Sequence, residues 1–118
     1  MNESILRIKS KRFAINIIYL YRSLKQNNAE SVLINQLLRA GTSVGANIHE
    51  AQYAQSTKDF ISKFEIALKE CNESKYWLEL LFETNSIEKT KFDEFSAECS
   101  EICRMLVSTV TTLKKKQS

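Results

Sequence analysis

Helix breakers are almost missing from this chain: its 118 residues include no proline, and its only glycines are Gly41 and Gly45. A β-rich domain of this length needs many tight turns, and turns draw on both residue types. Helix interiors need neither. Apolar residues make up 43% and charged residues 26%, ordinary values for a globular domain. The composition therefore points to one all-α domain over residues 1–118, since too little chain is left to bury a second core. The longest apolar stretch, Phe13 to Tyr21, is broken by Asn16 and falls far short of the roughly 20 residues that span a bilayer. It follows Arg7, Lys9, Lys11 and Arg12 as the apolar part of a signal peptide would. Arg22-Ser-Leu-Lys25 comes next, however, rather than a small-residue cleavage site. Cys71, Cys99 and Cys103 are odd in number, lack C-x-x-C spacing and occupy mostly apolar positions. That usage suits reduced, buried thiols in a cytoplasmic protein.

Three places carry the chemistry of a helix start. Asn27 precedes Glu30 by three residues, Ser56 precedes Asp59, and Asn85 precedes Glu88. In each, a short polar side chain can cap free backbone N–H groups while a carboxylate reaches back from the first turn. These breaks predict helices near residues 3–25, 28–54, 57–84 and 86–115. Connections so short make sequential helices antiparallel, an up-down-up-down four-helix bundle.

Each segment carries an apolar stripe at helical spacing. The stripes are Leu6, Phe13, Ile17, Leu20 and Leu24; Leu33, Leu37, Ala40, Val44, Ile48 and Ala51; Phe60, Phe64, Ala67, Cys71, Leu78 and Phe82; and Phe92, Phe95, Cys99, Ile102, Leu106, Val110 and Leu113. Further apolar residues lie off the stripes: Ile8, Ile15, Ile18 and Tyr19 in the first helix, and Ile61, Leu68, Tyr76 and Trp77 in the third. Some of these face neighbouring helices, and the remainder predicts self-association.

In the second helix Gln36, Arg39, Ser43, Asn47 and Glu50 recur every three or four residues as a polar stripe. That pattern is either a solvated face or a polar network built on Arg39, Asn47 and Glu50. Gly41 and Gly45 each cost about 1 kcal/mol in a helix interior relative to alanine, which implies a close helix crossing. The stretches LLRAGTSVGANIHEA (37–51) and DFISKFEIALKECNESKYWLELL (59–81) resemble hallmark blocks of the four-helix-bundle family encoded within intervening sequences of bacterial 23S ribosomal RNA genes. With the flanking helices, the resemblance covers nearly the whole chain. Gly41 departs from it, standing where alanine or serine is usual, and His49 with Ala51 stands where alanine and glycine are commoner. The resemblance implies an antiparallel bundle assembled as a homopentameric ring. A related branch, the accessory protein of diversity-generating retroelements, engages nucleic acid and a reverse transcriptase. Carried over by position, Arg39, Ser43, Asn47 and Glu50, with Lys69, Glu70, Asn72 and Glu73, would be the family's polar signature, with no catalytic role implied.

Enzymatic readings lack their residues. A di-iron bundle needs Glu-x-x-His pairs, and the lone histidine, His49, leaves a zinc set dependent on three cysteines scattered along the sequence. Ser43 and His49 lie six residues apart on one helix and point in different directions, so Ser43, His49 and Glu50 make no hydrolase triad. No catalysis, cofactor or metal is expected. Charge is more telling. Net charge is +3, yet residues 26–113 hold eight basic against thirteen acidic side chains, so positive charge collects at the ends. There, Arg7, Lys11, Arg22 and Lys25 fall within about 60° on the helical wheel, with Ile18 in the same arc. Lys9 and Arg12 lie elsewhere, Glu3 is the one acid among residues 1–25, and Lys114, Lys115 and Lys116 form a basic tail. Four cations on one strip make a phosphate-binding footprint, multiplied around a ring. Contact with anionic lipid is the weaker reading, because the apolar stripe of the first helix is already needed for the core. The expected function is a non-catalytic homo-oligomeric adaptor for structured RNA or a nucleoprotein, and the alternative is a structural scaffold or a reverse-transcriptase accessory protein.

Overall fold

The computed structural model describes residues 2–117, and the side chains of residues 5–117. Met1 and Ser118 of the expected domain and the Glu3 side chain lie outside the described residues. Four helices follow in order: α1 (Asn2–Gln26), α2 (Ser31–Ala51), α3 (Thr57–Glu83) and α4 (Lys89–Gln117). There is no strand among the described residues.

Contact partners along each pair run in opposite senses. Ser10 and Ile17 of α1 meet Gly45 and Gly41 of α2. Arg39 and Glu50 of α2 meet Glu70 and Lys63 of α3, and Phe82 and Cys71 of α3 meet Phe92 and Cys99 of α4. Lys9 and Asn16 of α1 meet Glu101 and Glu98 of α4. Each helix backbone packs closely on two neighbours, and among the described residues the diagonal backbones lie farther apart, giving an antiparallel four-helix bundle 48 by 21 by 20 Å.

The core is the meeting of the four stripes. Leu6, Phe13, Ile17, Leu37, Val44, Phe64, Leu78 and Leu106 are closed to solvent, and the Phe13 and Phe95 rings meet edge-on at 6.4 Å. Within α2, Ile34 takes the place expected of Leu33, which is half-buried at the helix start. Ile61, expected off the stripe, is buried, and Leu68 and Trp77 pack partly against the core. Phe60, Phe82, Phe92 and Leu113 are half-buried near the bundle ends, where the Phe82 and Phe92 rings stack at 4.5 Å.

Of the three expected N-caps, Ser56 holds: its hydroxyl accepts from the Asp59 N–H at 3.0 Å, and the Asp59 carboxylate accepts from the Gln55 N–H. Asn27 and Asn85 do not cap. Glu30 is the N-cap of α2, with no side-chain hydrogen bond, and α4 begins at Lys89. Asn28, next to Asn27, and Asn85 itself instead end the preceding helices. Asn28 (φ 61°) and Asn85 (φ 66°) are left-handed, and the next residue turns back, Ala29 N–H to Leu24 C=O and Ser86 N–H to Leu81 C=O. With Asn28 N–H to Lys25 C=O and Asn85 N–H to Phe82 C=O, these are two Schellman motifs with asparagine in the usual glycine position. The same chemistry stops one helix where the spacing suggested that it started the next.

Candidate functional site

The outer face of α1 places the four cations expected to bind phosphate in two pairs rather than one continuous strip. Arg7 and Lys11 line a groove of about 830 Å³ between α1 and α2, together with Ile8, Ala14, Gly45 and His49. Gly45 allows this approach, because a Cβ there would lie 3.3 Å from the Ser10 carbonyl oxygen. Arg22 and Lys25 lie on the last turns of α1, and the eleven-residue step from Lys11 to Arg22 spans about 16 Å. Between the pairs sits half-buried Ile18, and beside them run Ile8, Ile15 and Tyr19, of which Ile8 and Tyr19 are about three-fifths exposed (60% and 62%).

The cations differ in their partners. Arg7 donates to Gln52 Oε1 at 3.0 Å. The Arg22 guanidinium lies 5.6 Å from the Tyr19 ring centre and the Lys25 ammonium 6.0 Å from that of Tyr21, favourable positions for a cation over a π face. Among the described residues no carboxylate pairs with Lys11, Arg22 or Lys25. Lys9, outside the strip, is bound to Glu101 at 3.2 Å. In the basic tail Lys114 is bound to Glu65 at 2.6 Å, while Lys115 and Lys116 are exposed.

The residues of the polar signature do not form one network. Arg39 is a hub between helices: its guanidinium donates to Glu70 at 3.1 Å, to Glu73 at 2.6 Å and to Gln36 within its own helix. The Glu73 hydrogen bond, with Glu70 behind it, raises the Arg39 guanidinium above its ordinary value against some desolvation. Glu50 pairs separately with Lys63 at 3.1 Å. The Asn47 side-chain amide donates to the Ser43 carbonyl at 2.9 Å, a bond within α2. Lys69 and Asn72 are exposed on α3. Thus the network of Arg39, Asn47 and Glu50, one of the two readings of the stripe, does not form, and the three act apart. Arg39 and Glu50 tie α2 to α3, and the Arg39 partners 31 and 34 residues away could not be read from spacing within one helix. His49 stands beside Gln52 and the Tyr53 ring, and Glu50 is engaged with Lys63; neither is bonded to Ser43.

One grouping was missed from the sequence. Cys71, Cys99 and Cys103, read there as scattered, lie together in the core with their sulfurs all within 4.8 Å of one another. Cys71 and Cys99 Sγ are 3.2 Å apart, and each thiol also reaches the other residue's carbonyl oxygen. Cys103 Sγ, at the edge of the group, donates to Asn72 Oδ1 at 3.8 Å. Hydrogen bonds from Cys71 and then Cys99 hold the Cys103 thiol well below its ordinary value. Cys71 and Cys99 are pushed up, each chiefly through its hydrogen bond with Cys103. The available signal was the i, i+4 spacing of Cys99 and Cys103 on one face of α4, opposite Cys71 once α3 and α4 fold back on each other.

No helix among the described residues is long and apolar enough to cross a membrane. The sequence model described as 23S rRNA-intervening sequence protein matches residues 2–108. A solved structure, described as a protein with unknown function from the S23 ribosomal protein family of Bacteroides thetaiotaomicron, is 44% identical. Its superposition covers 94% of this chain and 99% of that one with a TM-score of 0.91. No curated protein matches the chain.

Proposed function

Since the chain belongs to the 23S rRNA-intervening sequence protein family, we propose that it is a non-catalytic homo-oligomer, a pentamer, that binds structured RNA or a nucleoprotein through the cations of α1. The observation that carries the reading is the exposed set Lys11, Arg22 and Lys25, which no described carboxylate neutralises although acidic side chains outnumber basic ones over residues 26–113. Cations already paired within the protein have little to gain from phosphate, whereas unpaired ones release counterions from nucleic acid when they bind. Repetition around an oligomer multiplies a weak contact. Exposed Ile8, Ile15 and Tyr19 on α1 and Tyr76 on α3 supply apolar surface for assembly.

The second reading, a scaffold that only assembles, is favoured by the same apolar residues. Salt separates the two. Sedimentation equilibrium at micromolar protein should give a mass several times 13.6 kDa at both low and high salt, because apolar association survives screening. A labelled RNA hairpin should bind at roughly 50 mM salt and weaken steeply toward roughly 200 mM. A 13.6 kDa monomer would end the proposed assembly, and an assembly indifferent to the hairpin at low salt would leave the scaffold.

A further inference from the structure

We propose that Cys71, Cys99 and Cys103 form a binding site for a trivalent thiophilic metalloid, arsenic or antimony, held as its neutral tris-thiolate. The placement follows from the fold. Cys99 and Cys103 are one helical turn apart on α4 and share a face, and antiparallel α3 lays Cys71 against them. All three sulfurs lie within 4.8 Å of one another, with those of Cys71 and Cys99 3.2 Å apart. Metal–thiolate bonds of roughly 2.3 Å put three sulfurs in a plane around one atom about 4 Å apart. A pyramidal centre, with a lone pair in place of a fourth ligand, draws its sulfurs closer than that. The spacing of the three thiols therefore needs only side-chain adjustment.

Ligand count and charge select the occupant. Among the described residues no carboxylate or imidazole joins the cluster, and the one polar side-chain atom bonded to it is Asn72 Oδ1. Structural zinc takes four ligands, and on three thiolates it would leave a net negative charge. Copper(I) on three thiolates would leave a larger one. Cys71 and Cys99 are closed to solvent and Cys103 is only 8% exposed, and Lys75 and Arg104 stand only at the groove beside Cys103, so a net negative charge at the buried centre would be costly. A trivalent metalloid on three thiolates carries none. Formation balances without redox chemistry: counted from the three protonated thiols, arsenous acid, As(OH)₃, loses three As–O bonds and the thiols three S–H bonds. Three As–S bonds form and three waters leave.

Entry is available beside Cys103, which lines a groove of about 410 Å³ between α3 and α4 with Lys75, Ser100, Arg104, Val107 and Ser108. Arsenous acid is uncharged at neutral pH, so the cations Lys75 and Arg104 do not repel it.

The test is native mass spectrometry of the full chain, reduced with a phosphine, titrated with arsenite and separately with antimonite. The expected product is one metalloid per chain with the loss of three protons, a raised Tm because the folded state gathers the three thiols and binds more tightly than the unfolded chain, and sulfur-to-arsenic absorption in the near ultraviolet. Cys103→Ser, at the edge of the cluster, should keep the helical circular dichroism and lose affinity by roughly 100-fold or more, since the third sulfur acts intramolecularly. The wild-type proton count stands by itself if the variant unfolds. Loss of fewer than three protons, no adduct under reducing conditions, or a folded Cys103→Ser variant with wild-type affinity would overturn the site.

Discussion

At Gly41 two opposing effects meet in one residue. Alanine there would gain about 1 kcal/mol of helix propensity. Its Cβ would lie 2.9 Å from Ile17 Cγ1 and 3.0 Å from Cγ2, atoms close to the stem of a stiff β-branched side chain that is closed to solvent. Overpacking costs about 1–3 kcal/mol, so Gly41→Ala should destabilise by about 1 kcal/mol in urea unfolding. In an Ile17→Ala background the obstacle is gone, and the same substitution should stabilise by about 1 kcal/mol. This explains physically why glycine stands where the family pattern led to an expectation of alanine or serine. Arg39 makes a second point at this scale. Its planar fork serves Glu70 and Glu73 at once, and lysine cannot reproduce that geometry. Arg39→Lys should lower stability by about 1 kcal/mol or less, because the pair is partly exposed, and the loss should shrink in Glu73→Gln protein.

At the scale of the element, the helices were legible and two of their boundaries were not. Apolar spacing located all four helices, and Ser56 with Asp59 capped the third as read. Asn85–Glu88 misled because asparagine suits two opposite jobs: it accepts hydrogen bonds at an N-cap and it tolerates the left-handed backbone of a C-terminal stop. At Asn27–Glu30 the neighbouring Asn28 does the second job. What distinguishes the second case is an apolar residue at C3. Leu24 and Leu81 supply it, and each accepts the returning N–H. Asn85→Gly should leave stability unchanged or raise it by a few tenths of a kcal/mol, and Asn85→Ala should lower it by about 1 kcal/mol. Thermal unfolding followed by circular dichroism would check the order Gly, Asn, Ala.

At the scale of the whole molecule, what one helix shows and what only the assembled bundle shows come apart. The cation strip was visible on a wheel of α1 alone, yet the wheel could not display its division into two pairs along the axis, nor that Arg7 leans on Gln52 and Lys114 on Glu65. The cysteines were invisible for the complementary reason. Metal-like spacing was sought along the sequence, while antiparallel packing of α3 on α4 creates proximity between residues 28 positions apart. Arg39 and its α3 partners belong to the same class.

The central proposal, that α1 presents cations to nucleic acid, is tested most directly by the salt dependence of hairpin binding. Wild type should be compared with a variant carrying Lys11→Glu, Arg22→Glu and Lys25→Gln. Glutamate and glutamine are good helix formers, and glutamine at position 25 avoids a negative charge in the last turn, so helicity should persist. Each phosphate contact contributes roughly 0.7–0.9 to the slope of log K against log salt, so the variant should bind more weakly and its slope should flatten by about 2–3 units for each engaged protomer. Equal affinity and equal slope in the two proteins, or no wild-type binding at roughly 50 mM salt, would contradict the account.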